Sequence, residues 1–459
     1  MEIFKNEKSH VLIAIFPGQG HINPSLQLSK QLIKLGIKVT LTTSLSAFNK
    51  IKNLPNIEGL SFAPFSDGYD GNFEGSFEEF HLFYSSIKSL GSEFIFNLVK
   101  LNSTNGTPIT HVIYTVVMEW ACLVAKKFNI SSTLFWIQPA TVFDIYYYRY
   151  TNYSDYFKNC DSKDKIIELP GLPPLSPIDL PSFVFDDVEC NNWATESIKM
   201  QMEILNNEKN PKILVNTFDD LEFDALRILK NNVTMVAIGP SIPLHFLDDN
   251  SFGADMIEIR SNNYMDWLNL MTNKSVIYIA FGSYTEISSQ LMEEIGQGLL
   301  KCGRPFLWVI REGQNGEKMV SCKDELEKKG KIVNWCSQVK VLKHPSVGCF
   351  LTHCGWNSTL EGIASGVPLV ACPIWNDQIC NAKLVQDVWQ TGVRVNAGEG
   401  GIVERNEFER CIEIAMKDEE LQKNAKKWRD LAKKAMGENG SSNVNLKAYA
   451  NEFLLNHSC

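Results

Sequence analysis

Two short stretches of this 459-residue chain carry polar side chains where open sheets usually place chemistry. The first spans residues 335–378, WCSQVKVLKHPSVGCFLTHCGWNSTLEGIASGVPLVACPIWNDQ. Within it the run at 347–351 is β-branched and aromatic and suits a buried parallel strand. That run ends in Thr352-His353-Cys354-Gly355-Trp356-Asn357-Ser358, and a helical period follows at 359–364. A strand, a Gly-bearing turn, Asn and Ser capping residues and a helix together leave backbone N–H groups at a helix start, a site suited to phosphate. A second short strand at 369–371 ends in Pro373-Ile374-Trp375-Asn376-Asp377-Gln378. Polar groups again gather at the carboxyl end of a strand, where α/β sheets bind ligands. The pattern is that of a nucleotide site. The second stretch is Pro17-Gly18-Gln19-Gly20-His21, at the carboxyl end of the first strand. An imidazole there has a near-neutral intrinsic pKa and is placed to move a proton.

The elements that must position these residues follow a βα rhythm. Residues 11–43 read as strand 11–16, loop 17–21, helix 23–35 stopped by Gly36, and strand 38–43, a βαβ opening. Strands at 110–117 and 133–137 flank a helix at 120–128. The Tyr-rich run 141–150 divides between core and the wall of a pocket for a flat or apolar ligand. Five prolines in 169–181 make that segment irregular, a pocket-edge loop. Strands at 213–216 and 234–238 close the first half. After a polar, aperiodic stretch the rhythm restarts with strand 276–281, turn Gly282-Ser283, helix 288–301 and strand 306–310. Helices at 418–435 and 443–455 end the chain. The expected division is a domain at 1–239, a linker at 240–263 and a domain at 264–459, with the last helix free to pack back on the first domain. Two doubly wound α/β halves of this kind face each other across a cleft.

Composition narrows the function classes. An apolar fraction of 44% with 21% charged residues describes a soluble globular protein. A net charge of −9 and a pI near 5.5 argue against nucleic acid or an anionic membrane as partner. The apolar run at 11–16 is broken at once by Pro17-Gly18, so neither a signal peptide nor a membrane span is expected, and the cytoplasm is the expected location. The twelve cysteines form no CxxC pair, and Cys349 and Cys372 fall in strand-like runs, as buried free thiols of a reducing compartment do. Cys349, His353 and Cys354 do not complete a four-ligand set, so no metal is expected.

The 44 positions at 335–378 closely resemble the signature box of plant UDP-sugar-dependent glycosyltransferases acting on small specialised metabolites. The likeness extends over the whole chain, through the Phe16–His21 loop and the Phe281-Gly282-Ser283 turn. It implies a GT-B fold of two Rossmann-like domains, a hexosyltransferase activity, acceptor binding mainly by the first domain, through variable loops around residues 81–89, 146–156 and 183–194, and donor binding mainly by the second. It implies that Trp335 stacks on uracil while the backbone at Cys336 pairs with its edge, although many relatives have Ala there. Gln338 and Glu361 would hold the ribose hydroxyls. Ser283, His353, Asn357 and Ser358 would bind the two phosphates, and Trp356, Asp377 and Gln378 would read the sugar. Gln378 as the last box residue resembles the family's usual preference for glucose. Asn376 would face the acceptor, and His21 would take the acceptor's proton during an inverting displacement that needs no metal or cofactor beyond UDP-glucose. The implied partners are UDP-glucose and a small-molecule acceptor, handled by a monomer.

Two positions depart from the family pattern. Relatives commonly carry Asp in the Tyr114-Thr115-Val116 segment, orienting the base; here the position is Thr115. A hydroxyl accepts a hydrogen bond from the ring but supplies no negative charge, so His21 is expected to be a weaker base. Glu119, four residues on, has no local reason to reach it. Ile137 stands where many relatives have a Thr that touches the sugar. A weakened base suits an acidic acceptor, and the flanking segments resemble the subgroup of anthocyanin 5-O-glucosyltransferases and enzymes making glucose esters of crocetin, auxin or phenolic acids. Two other readings compete. A nicotinamide oxidoreductase lacks a complete glycine fingerprint in either half. A non-catalytic nucleotide-sugar or metabolite sensor on the same fold is opposed by the retained His21.

Overall fold

The computed structural model describes residues 9–51, 57–71, 73, 79–151, 153–158, 166–185, 192–242, 263–283, 285, 287–311, 321–398 and 401–455. Its strands make two sheets. β1 (His10–Ala14), β2 (Lys38–Thr42), β3 (Leu60–Phe62), β4 (His111–Thr115), β5 (Ser131–Trp136), β6 (Lys212–Val215) and β7 (Thr234–Ala237) pair in the order β3-β2-β1-β4-β5-β6-β7. β8 (Val276–Ala280), β9 (Phe306–Val309), β10 (Lys331–Val333), β11 (Val347–Thr352), β12 (Leu369–Ala371) and β13 (Gly392–Arg394) pair in the order β10-β9-β8-β11-β12-β13. Every pairing is parallel. The central strands are therefore covered on both faces and read as unbroken apolar runs, as in β1 and β8, whose residues are all buried.

Each sheet reverses its strand order once, between β1 and β4 in the first and between β8 and β11 in the second. Such reversals open a crevice at the carboxyl ends of the strands. The register keeps those ends level: Ala14 lies opposite Tyr114, and Thr352 lies opposite both Ala280 and Ala371. The loops after β1, β4, β8, β11 and β12 thus leave their sheets at common heights. Together with the segment after β10, they carry the expected site residues.

The chain forms two compact units. The first comprises Met1–Pro177, Phe183–Leu244 and Ala435–Cys459; the second comprises Ile178–Ser182 and His245–Lys434. The closing helix Ser441–Tyr449 belongs to the first unit. There Asn445 Nδ2 donates to Asp219 at 2.8 Å and to the Ala237 carbonyl at 2.9 Å, and the Tyr449 hydroxyl donates to Thr133 at 2.6 Å. Of the linker expected at 240–263, residues 243–262 lie outside the described residues. No described helix is long and apolar enough to cross a membrane.

Three local expectations need correction. The first helix runs Gln19–Lys34, so His21 sits in its first turn and not in the loop before it. Asn23-Pro24 has the form of a helix start, because proline is tolerated best at the first helical position, yet Pro24 lies inside this helix. Residues 81–89, expected as an acceptor-side loop, are part of the long helix Phe80–Thr104. Of the region 146–156, also expected as a loop, residues 146–150 lie in the helix Ala140–Tyr150 and 154–156 in the helix Ser154–Lys158, while of 183–194 residues 186–191 lie outside the described residues.

Candidate active site

In the first unit the crevice brings His21 and Thr115 together. His21 Nδ1 lies 3.0 Å from Thr115 Oγ1, and the Phe16 N–H donates to the same oxygen at 3.2 Å. That oxygen has two lone pairs and can accept from both, which leaves a lone pair on His21 Nε2. A hydroxyl can also donate to Nδ1, so Thr115 does not enforce the base tautomer as a carboxylate would. Burial drives the His21 pKa down to about 3, with the ring centroid 5.2 Å from that of Phe16. The imidazole is therefore uncharged and weakly basic.

Glu119 does not supply the missing charge. Its fully buried carboxylate accepts from Tyr84 at 3.1 Å, Ser197 at 2.5 Å and Lys88 at 3.2 Å. The first turn of the helix Glu119–Lys127 carries it toward the helices Phe80–Thr104 and Asn192–Asn206. The Tyr-rich helix Ala140–Tyr150 is buried from Ala140 through Arg149, with the Tyr147, Tyr148 and Tyr150 hydroxyls bonded to Asn206, Pro170 and Phe183. An aromatic group nearer the base comes from elsewhere. Trp193 stacks on Phe16 at 6.3 Å and lies 4.9 Å from Phe80 and 4.8 Å from Tyr84. No sequence period announces that cluster, because its members come from three separate elements.

In the second unit the expected residues converge in three groups. Trp335 follows the edge strand β10 and is half-buried; Cys336 is buried behind it. Gln338 Nε2 donates to Ser358 at 2.9 Å and to Glu361 at 2.7 Å, so the helices Gln338–Lys343 and Trp356–Ser365 present an amide, a hydroxyl and a carboxylate together. Beneath them the Tyr278 hydroxyl donates to Gln338 Oε1 at 3.2 Å and lies 3.4 Å from Cys336 Sγ. Tyr278 was not evident in the sequence, where it reads as one more strand residue.

The second group surrounds His353, whose ring lies between two glycines. A Cβ at Gly282, which has φ of +72°, would sit 2.7 Å from the ring, and one at Gly355 would sit 2.5 Å from Nε2. Glycine is required at both positions for the backbone to approach so closely. Burial first, and the nearby Arg311 charge second, lower the His353 pKa to about 4. Arg311 is also a missed residue: its guanidinium bonds the Ser283 carbonyl and, at 3.1 Å, the Thr285 carbonyl, fixing the turn after β8. Gly355 caps the helix Trp356–Ser365, whose first turn includes Asn357 and Ser358. A helix start beside a neutral imidazole is built to receive an anion.

The third group lies after β12. The Gln378 side-chain oxygen accepts the N–H groups of Ile374 at 3.0 Å and Trp375 at 3.2 Å, so the donor group of this buried side chain is its amide nitrogen. Buried Asn381 donates to Asp377 at 2.7 Å and to the Cys354 carbonyl at 2.8 Å, tying this loop to the His353 turn. The ring of Trp356 is buried 5.9 Å from that of Trp389. Burial raises the Asp377 pKa to about 6. Between about pH 4 and 6 folded Asp377 keeps a proton that the unfolded chain has lost, so this residue's contribution to stability falls as pH rises through that window. Only the ionised form is purely an acceptor. With Asp377 as the sugar contact that the resemblance implies, the added affinity of UDP-glucose over UDP is expected to fall below about pH 6, and Asp377→Asn should abolish that pH dependence in calorimetric titrations of the two ligands.

Comparison with known proteins shows the family and the fold. Residues 225–435 match the family described as UDP-glucoronosyl and UDP-glucosyl transferase. The chain is 48% identical to UDP-glycosyltransferase 75C1 of Solanum lycopersicum, with 96% of this chain and 97% of that protein aligned. It is 47% identical to a crocetin glucosyltransferase of Gardenia jasminoides, over 97% of this chain and 98% of that protein. The crystal structure of Os79 from O. sativa in complex with UDP superposes with a TM-score of 0.84 at 30% identity, covering 96% of this chain and 100% of that one. The fold is GT-B, and the chain belongs to the UDP-glycosyltransferase family, in which it matches plant members along nearly its whole length.

Proposed function

We propose that this enzyme transfers glucose from UDP-glucose, with inversion at the anomeric carbon, to a carboxyl or acidic hydroxyl of a small plant metabolite. Trp335 and the Cys336 backbone take the uracil, Gln338 and Glu361 the ribose diol, and Ser283, His353, Asn357 and Ser358 the diphosphate. Trp356, Asp377 and Gln378 read the sugar, and Asn376 faces the acceptor. The acceptor oxygen attacks the anomeric carbon as the bond from that carbon to the diphosphate oxygen breaks. UDP departs with its negative charge met by the helix start and His353. Where the acceptor is a hydroxyl, its proton passes to His21.

The observation that carries the acceptor class is the hydroxyl of Thr115 behind a desolvated His21. An imidazole whose conjugate acid has a pKa of about 3 drives proton removal from an aliphatic alcohol poorly. Carboxylic acids, with pKa values of about 4, arrive already ionised and need no base. The crocetin glucosyltransferase among the relatives is in keeping with such acceptors. The test is a screen of carboxyl and hydroxyl acceptors with products identified by mass and by cleavage in mild alkali, which separates esters from glycosides. Ester products or glycosides of acidic phenols are expected; a preference for unactivated aliphatic alcohols would overturn the assignment. Thr115→Asp should place a negative charge beside the ring, raise the His21 pKa, and increase kcat/KM for hydroxyl acceptors about tenfold or more, while carboxylate acceptors gain nothing.

A further inference from the structure

The second unit contains one short piece of distant sequence. Ile178–Ser182 packs there, although the chain on either side of it belongs to the first unit. The segment is fixed at two points, and both act on the loop and helix that begin the sugar-reading group. Ser182 and Asn376 exchange hydrogen bonds: the Asn376 N–H donates to Ser182 Oγ at 2.8 Å, and the Ser182 N–H donates to the Asn376 carbonyl at 3.2 Å. Asn376 has φ of +60°, a left-handed conformation that asparagine tolerates better than most residues. It stands at the first central position of a turn closed by the Gln378 N–H on the Trp375 carbonyl. The direction in which Asp377 and Gln378 leave that turn depends on its geometry.

The second anchor is buried Asp179. Its carboxylate meets Arg394 Nη1 at 2.7 Å and lies 3.8 Å from Lys383 Nζ, while Arg394 Nη2 donates to the Ile178 carbonyl at 3.4 Å. Arg394 ends β13, and Lys383 ends the short helix Gln378–Lys383 whose first residue is Gln378. The segment therefore holds the turn before that helix and the last residue of the helix itself. Of the two attachments, the paired hydrogen bonds bear on Asn376, and the charged one bears on Arg394 and, at 3.8 Å, on Lys383.

We propose that Ile178–Ser182 is a positioning clasp for the sugar-reading turn: Ser182 and Asp179 hold Asn376 and the Gln378 helix so that Asp377 and Gln378 meet the hexose of the donor. The proposal rests on the assignment of Asp377 and Gln378 as sugar contacts. It makes the clasp a determinant of which UDP-sugar is used, and leaves the uracil, ribose and diphosphate contacts to other elements.

The experiment compares the full-length enzyme with Ser182→Ala, Ser182→Thr and Asp179→Asn. It measures Kd for UDP, KM for UDP-glucose and the kcat/KM ratio of UDP-glucose to UDP-galactose, with melting curves on the same samples. Ser182→Ala is expected to leave the Kd for UDP within about twofold while raising the KM for UDP-glucose about fivefold, the factor carried by one neutral hydrogen bond. The glucose-to-galactose ratio should fall, Ser182→Thr should restore it, and Asp179→Asn should shift the same quantities in the same direction. Equal loss of UDP and UDP-glucose binding would overturn the clasp in favour of a merely structural contact, as would unchanged values in both variants. Asp377→Asn run in parallel separates the two levels. If Asp377→Asn loses sugar-dependent binding and Ser182→Ala does not, the clasp fails alone. If Asp377→Asn has no sugar-dependent effect, the sugar-contact assignment fails beneath it.

Discussion

His21→Ala is expected to cut kcat/KM toward hydroxyl acceptors by about 10²–10⁴, the range that general-base catalysis supplies, and toward carboxylate acceptors by less than about tenfold. The asymmetry follows from what each acceptor brings. A hydroxyl carries a proton that must leave as the bond to the anomeric carbon forms, and the His21 ring, bonded to Thr115 at 3.0 Å, is the group we propose to receive it. A carboxylate has no proton to give. Against it the ring contributes packing beside Phe16 and, in the tautomer whose Nδ1 accepts from the Thr115 hydroxyl, an Nε2–H donor for the attacking oxygen. Steady-state rates for both acceptor types in wild type and variant decide the matter, with UDP binding as the control for intact donor recognition. Equal losses for both would mean that His21 orients acceptors and does not act as a base.

Gly282→Ala is expected to weaken UDP binding about thirtyfold or more, a loss of about 2 kcal/mol. Two effects add. An alanine at φ of +72° costs about 1–2 kcal/mol of backbone strain, which the unliganded turn sheds by leaving the geometry that receives the ligand. Its Cβ would also stand 2.7 Å from Cε1 and Nε2 of His353, well inside contact distance, so the imidazole must be displaced. The ring cannot retreat toward Gly355, where the backbone is equally close. Calorimetry with UDP alone reads the effect without any dependence on the acceptor. Gly355→Ala should behave alike, whereas Gly303→Ala, at a left-handed helix cap with open space around it, should cost stability and leave UDP affinity intact.

Much of the proposed donor site is local in the sequence. Trp335, Gln338, His353, Ser358, Glu361, Asp377 and Gln378 lie within one run whose strand and helix periods announce where each loop falls. The central strands of both sheets were legible because they too are local, being apolar runs bounded by turn residues. The three-residue edge strands β3, β10 and β13 were not, since their partly exposed residues form no apolar run, whereas the equally short β12 is buried throughout. The start of the first helix was misplaced by Pro24, whose best-known position is a helix start. What the sequence hid altogether is the support beneath the site. Tyr278 reaches Gln338 across 60 residues, Ser182 reaches Asn376 across 194, and Asp179 reaches Arg394 across 215. Pairings of that range leave no local pattern. Glu119 is the instructive opposite: close to Thr115 in sequence, yet turned by its helix toward Tyr84 and Ser197.

The claim on which the acceptor assignment depends is that His21 is uncharged and weakly basic. Its most direct measurement is an NMR titration of the His21 ring in the unliganded protein, assigned by comparison with His21→Ala. Burial against Phe16 with only the Thr115 hydroxyl behind it predicts that the ring stays neutral from pH 8 down to about 5, as a group with desolvation and no charged partner must. A titration centred at or above about 6.5, the value of a solvated imidazole, would contradict it and remove the reason for favouring acidic acceptors.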